Sequence, residues 1–122
     1  MIAMTLAQYE QTGRDWIKKL YEAQGGWRIA AEDGQLRLHL DADFTTRPGP
    51  DVKIYLSARP IVDIGNRDQV ADHARFVATL AKFSGAQSFD LGDGTGFDRY
   101  RAVVLHCEAY SAVWCGVALR EG

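Results

Sequence analysis

Two cysteines, Cys107 and Cys115, are the residues of this 122-residue chain whose type points most directly to chemistry. Their spacing is neither C-x-x-C nor a zinc pattern, and two are too few for a disulfide scaffold, so reduced thiols are expected. Cys107 closes the apolar run AVVLHC. A reactive thiol needs a nearby cation or helix N-terminus, together with access. Arg101 lies six residues earlier on the same predicted strand, too far along it to act directly. His106 is the neighbour of Cys107 in sequence, but alternation along a strand sends adjacent side chains to opposite faces. That argues against a Cys107–His106 dyad and against both ligating one metal. From pattern alone, Cys107 reads as a small hydrophobe in a core strand.

The remaining polar residues carry weaker signals. His39, His73 and His106 lack the spacing of a zinc site. Asp41 with Asp43, and Asp90 with Asp93, supply too few oxygens for calcium. No G-x-S-x-G surrounds Ser57, Ser84, Ser88 or Ser111. The glycine-rich GDGTG at residues 92–96 precedes a strand rather than a helix, so it reads as a surface loop and not as a phosphate cradle.

The elements that must position these residues are mostly strands. Residues 5–23 place Leu6, Tyr9, Trp16, Ile17, Leu20 and Tyr21 at largely helical spacing, with a Thr5–Gln8 capping box and a stop at Gly25-Gly26. An amphipathic N-terminal helix is therefore expected, packed on the domain or on a second copy of it. Beyond Gly26 the period becomes two. Residues 27–31 and 35–40 read as a hairpin turning at Glu32-Asp33-Gly34, and RPGP at 47–50 as a loop. Further strands are expected at 52–57, 76–80, 88–91, 102–107 and 112–119, with a short helix near DQVADHARF. The last two strands are apolar on both faces, as central strands are. A four-residue turn at 108–111 would set Cys107 opposite Ala112 and Leu105 opposite Trp114. Trp114 would then lie beside Cys107, and Cys115 would project to the other side. A three- or five-residue turn would reverse this parity.

Length and composition fit one soluble domain: 47% apolar and 25% charged residues, with a net charge of -2. The charges are interspersed, without the basic stripe that nucleic acid requires. No run approaches a membrane span. Gln8, Glu10, Gln11, Arg14 and Asp15 interrupt any secretory apolar stretch, so a cytoplasmic location is expected.

Three separated blocks, in order, resemble the electron-transfer DM-thirteen domain, a small β-sandwich-type domain often found beside DOMON domains. The first, DFTTRPGPDVKIYLS at 43–57, carries Phe44, Gly49, Pro50, Asp51, Tyr55, Leu56 and Ser57. The second, SGAQSFDL at 84–91, carries Gly85, Gln87 and Phe89, the last where the family usually has tyrosine. The third, YRAVVLHC at 100–107, carries Tyr100, Arg101, Val103, Val104 and Cys107. Tyr110, Trp114, Gly116, Ala118 and Leu119 resemble the family's closing strand. The likeness spans roughly residues 27–119, and the polar stretch at 58–74 is unusual for the family.

The resemblance implies an antiparallel β-sandwich, or a barrel-like version of one, over residues 26–122, with residues 1–25 as the added helical segment. It also implies that Cys107 falls on the family's characteristic cysteine, proposed to act in redox chemistry as a naked thiol or as the ligand of a prosthetic group such as haem. Trp114, Phe89 or Trp27 would then line the cofactor pocket. The expected partner is a redox protein or a small ligand. Two other readings stay open. One is a non-catalytic binding module using the loops at 47–50 and 92–96. The other is a homodimer formed through the N-terminal helix, with Cys107 purely structural.

Overall fold

The computed structural model describes residues 9–65 and 74–120 of the chain. Among the described residues there are eleven strands: β1 (Glu10–Gly13), β2 (Ile17–Lys18), β3 (Ala23–Gln24), β4 (Trp27–Glu32), β5 (Gln35–Leu40), β6 (Thr45–Thr46), β7 (Val52–Ser57), β8 (Ala74–Thr79), β9 (Gln87–Gly92), β10 (Ala102–Cys107) and β11 (Ala112–Ala118). They form a four-stranded sheet in the order β1-β4-β5-β9, a five-stranded sheet in the order β2-β11-β10-β7-β8, and the small pair β3-β6. Every pairing is antiparallel. The two larger sheets are separate and form no closed barrel.

Alternation explains the core. Leu36, Leu38 and Leu40 of β5 point inward with Ile29 of β4 and Leu91 of β9. They meet Val52, Ile54 and Leu56 of β7, Val103, Leu105 and Cys107 of β10, and Trp114 and Val117 of β11 in one buried cluster. The hairpin β4–β5 turns at Asp33-Gly34, both at positive φ (53° and 79°), which glycine adopts without cost and aspartate tolerates. At one edge of the fold the chain crosses from β1 in one sheet to β2 in the other. At the opposite edge the Arg75 guanidinium of β8 donates to the Leu91 carbonyl of β9 at 2.8 Å.

The expected N-terminal helix is not present. Residues 1–8, with the Thr5–Gln8 box, lie outside the described residues, and residues 10–24 contain β1, β2 and β3. The segment also satisfies a period of two, because Tyr9 and Gln11 are buried while Glu10 and Thr12 are exposed. Pairing with β4 in the register Glu10↔Ala30 to Gly13↔Trp27 supplies its backbone hydrogen bonds. Gln11 fixes the placement by accepting from the Arg120 amide at 2.9 Å, which joins the start of the described chain to its end. Tertiary pairing thus overrides a helical periodicity already weakened at Gly13. A dimer made through that helix loses its helix. Of the stretch expected to hold a short helix near 68–76, residues 66–73 lie outside the described residues and the rest belongs to β8. Among the described residues, no helix is long and apolar enough to cross a membrane.

A second, smaller core lies on the outer face of the five-stranded sheet. Ile61 and Ile64, in and just after a single 3-10 turn, pack over Ala102, Val104 and Val113. Gly116 makes this possible, because a Cβ there would sit 2.5 Å from Ile61 Cδ1 and 2.6 Å from the Val103 carbonyl oxygen. Gly116→Ala is therefore expected to lower the unfolding free energy by about 1–3 kcal/mol, the usual cost of overpacking a well-filled site. Urea denaturation checks this, and an unchanged midpoint would contradict the packing described.

Candidate functional site

The β10–β11 pairing decides where the candidate residues point. Cys107 faces Ala112 and His106 faces Val113, but Leu105 faces Cys115 rather than Trp114. Trp114 is an extra residue in β11, a β-bulge that shifts the register by one. The simple parity expected for the strand pair fails at that point. Trp114 and Cys115 therefore both enter the core that holds Cys107, and Cys115 does not project to the other face. The two thiols are still apart. Cys115 sits opposite Leu105, two residues along β10 from Cys107. That offset places the Cα atoms about 8 Å apart, beyond disulfide reach. Both cysteines are unbridged.

Cys107 has no exposed surface, and its Sγ–H donates to the Pro50 carbonyl at 3.1 Å. Trp114 is likewise buried, and its Nε1–H donates to the Arg47 carbonyl at 2.9 Å. The two ends of the RPGP loop thus hold the two candidate side chains. Its prolines fix φ and carry no N–H, so their positions in the loop offer carbonyls without competing donors. Between them, Gly49 lies against the indole, where a Cβ would be 2.9 Å from Trp114 Cη2 and Cζ2. The Glu108 amide donates to the Asp51 carbonyl at 3.0 Å, fastening the far end of the loop to the end of β10.

Aromatic rings continue outward from Trp114. Tyr21 tilts against it at 4.5 Å between centroids, and Arg47 lies 4.7 Å from the Tyr21 centroid. Tyr110, 62% exposed in the β10–β11 turn, also stacks on it, at 6.4 Å and 22°. Such rings combine apolar bulk with cation contact.

Cys115 is inert for a physical reason. Burial pushes its thiol up to about 12. Asp43 pairs with Arg14 and accepts from the Gly26 amide, which hold its carboxyl below the usual carboxylate range. Asp41 lies beside Gly26, where a Cβ would be 2.1 Å from its Oδ2. Asp90 and Asp93 accept from the backbone amides of Gly92 and Thr95. His39 contacts Glu32 at 2.9 Å among solvent-facing charges of the four-stranded sheet. His73 lies outside the described residues. His106 faces away from Cys107, as alternation requires, towards Tyr55 and Glu108. Among the described residues, no group of three or more His, Cys, Asp and Glu could hold a metal ion.

A family model described as Electron transfer DM13 matches residues 18–119. The chain belongs to this family. Its description points to a redox or electron-transfer role. No curated protein and no solved structure matches the chain. The match starts at residue 18, so it takes in the last residue of β2 and all of β3 as well as the blocks that carry the likeness in sequence.

Haem, implied for the family as one form of its redox group, does not fit these residues as placed. A thiolate ligand needs an open face on sulfur and a flat cavity beside it. Cys107 has neither: its sulfur is sealed beneath Pro50, and the Trp114 indole is held by Arg47, Gly49, Tyr21 and Tyr110. A surface pocket of about 370 Å³ is lined by Lys19, Leu20, Gly65, Ser111, Ala112 and Val113, and Cys107 is not among the described residues lining it. Phe89 and Trp27 belong to the buried core.

The sequence pointed to Cys107 and Trp114 but not to the backbone carbonyls that hold them. The only available signal was a glycine between two prolines, in a block that also resembles the family.

Gly49→Val is expected to force the loop off the indole. Overpacking of this kind would raise the rate of Cys107 alkylation in a Cys115→Ala background about tenfold or more. An unchanged rate would mean that the loop does not control access. Cys115 supplies a pH test. An unfolded thiol ionises near 9.0 and the buried one near about 12. Below that window neither state releases the proton, whereas within it only the unfolded chain does. Stability therefore falls as pH rises from about 9, by up to about 1.4 kcal/mol per unit from this group. The gap between wild type and Cys115→Ala in urea melts should shift by that slope between pH 9 and 11, and parallel curves would refute the assignment.

Proposed function

We propose that this domain is an electron-transfer module whose redox group is the Cys107 thiol itself, kept from solvent until the 47–50 loop lifts. The observation carrying this reading is the Cys107 Sγ–H donated to Pro50, beneath a loop that also holds Trp114. That hydrogen bond uses the protonated thiol. The closed form is therefore a resting form, and chemistry requires the contact to break. The exposed Pro48 and Pro50 place the loop at the surface, so local opening can occur without unfolding the sheets. Once exposed, its thiolate form can attack a partner protein's disulfide, forming a mixed disulfide with one partner sulfur while the other leaves as a thiolate. The partner is a redox protein that meets the domain at this loop.

A second reading draws on the same burial. A fully covered cysteine in a central strand also suits a non-catalytic binding module in which Cys107 only fills the core.

Exchange with a small aromatic disulfide separates the two in a Cys115→Ala background. Opening of the loop alone exposes little surface, so the exchange rate should depend weakly on urea below the unfolding transition. A rate that climbs with urea as steeply as global unfolding would make Cys107 a core residue and favour the binding module.

A further inference from the structure

On the face of β10 opposite Cys107, two side chains converge on one oxygen of a third. The Tyr55 hydroxyl, from β7, donates to Glu108 Oε1, and His106 Nδ1 lies 3.3 Å from the same atom. Glu108 begins the β10–β11 turn, and Tyr55 faces Val104 across the β7–β10 ladder. His106 is 1% exposed and the Glu108 side chain 19%. Tyr55 is half-buried, edge-on to His106 at 6.2 Å and to Phe76 at 5.7 Å. Hydrogen bonds in such a partly closed network are stronger than in water. The Tyr55 hydroxyl first, with His106 and Lys53, holds the Glu108 carboxyl below the usual carboxylate range, so it is ionised near neutral pH and can accept a proton.

This is the arrangement a phenol needs to give up an electron without becoming a cation. Cys107 lacks it, because its hydrogen bond goes to a carbonyl, which is a poor base. Tyr9 lacks it too, since its oxygen accepts from the neutral Gln11 amide. We propose that Tyr55 is a proton-coupled redox site, its phenol passing its proton to Glu108 as the ring loses an electron. The proposal takes from the functional reading only that the domain passes electrons, and does not require Cys107 to react.

The step balances with a one-electron oxidant, a metal-centred group on a partner protein. The oxidant gains one electron. The Tyr55 O–H bond breaks, the ring becomes a neutral phenoxyl radical, and Glu108 becomes the neutral acid. Return of the electron sends the proton back along the same hydrogen bond. Phe76, 51% exposed on the edge strand β8, is the ring through which the partner approaches, with Lys53 Nζ 5.9 Å from its centroid. His106 is a positioning residue that steadies the carboxylate.

The test is oxidation of the full chain by a flash-generated ruthenium(III) polypyridyl complex, followed by transient absorption and electron paramagnetic resonance. A Tyr110→Phe background removes the exposed phenol that would otherwise compete. The expected result is a phenoxyl radical that disappears in Tyr55→Phe. Glu108→Gln should slow its formation about tenfold or more and weaken its deuterium isotope effect, since a charged acceptor has been replaced by a neutral one. A radical signal unchanged by Tyr55→Phe, or a rate unchanged by Glu108→Gln, would overturn the proposal. Cys107→Ala should retain the radical, and retention there alongside an inert thiol would reject the Cys107 reading while leaving Tyr55 standing. Loss of the radical in Cys107→Ala, with the fold intact by circular dichroism, would overturn its independence of the thiol.

Discussion

One inserted residue in β11 sets the geometry of everything around Cys107. In a regular antiparallel pair, alternation would let only one of Trp114 and Cys115 share the inner face. The bulge admits both, and the packing follows from that. The indole is carried in far enough to meet Gly49 and donate to Arg47, while Cys115 fills the space opposite Leu105. Without the extra residue, either the largest buried side chain of this sheet or the Cys115 thiol would turn towards Ile61 and Ile64, into a layer that already needs Gly116 to close. Bulges often re-aim a side chain beside a functional position, and this one aims Trp114 at the loop that covers Cys107.

The loop in turn depends on the indole. Proline at 48 and 50 limits the conformations open to the unfolded loop, which lowers the entropy lost on closing it. Yet a stiff loop still needs an anchor, and its contacts with the domain's candidate residues are backbone carbonyls at 47 and 50 accepting from Trp114 and Cys107. The thiol is a weak donor, so the indole N–H carries most of the attachment. On the proposed reading, Trp114 governs access to Cys107 through this attachment.

How far the sequence revealed this depended on whether the deciding contacts were local. The β4–β5 hairpin was legible because Asp33-Gly34 and the alternating Leu36, Leu38 and Leu40 encode it within a few residues. The N-terminal segment was not. Trp16, Ile17, Leu20 and Tyr21 fit a helical face, while the partners that make strands of this region, β4, β11 and β6, lie far away in sequence. The bulge was equally hidden, since turn length alone gave the correct pairing of Cys107 with Ala112 and then misplaced Trp114 by one residue. Cys107 itself was visible as a residue type and through the resemblance. Its acceptor was not, because a carbonyl has no signature in side-chain sequence. Tyr55, Glu108 and His106 were each on the page, but their meeting requires the β7–β10 ladder and the start of the turn together.

The two faces of β10 now look differently equipped for moving electrons. On the inner face, oxidation of a thiol must also dispose of a proton, and the closed site provides only a carbonyl to receive it. On the proposed reading, chemistry there is coupled to a conformational step, which suits slow, gated exchange with a partner that opens the loop. On the outer face, the phenol and its acceptor are already hydrogen-bonded, so an electron can leave with a proton shift over one bond and little rearrangement. Preorganised polar groups lower a barrier because they need not reorient as charge moves. The segment at 58–64 adds to this contrast by laying Ile61 and Ile64 over the same face of the sheet. They pack over Val104, the residue that Tyr55 faces across the β7–β10 ladder, so the phenol stands beside a closed apolar layer.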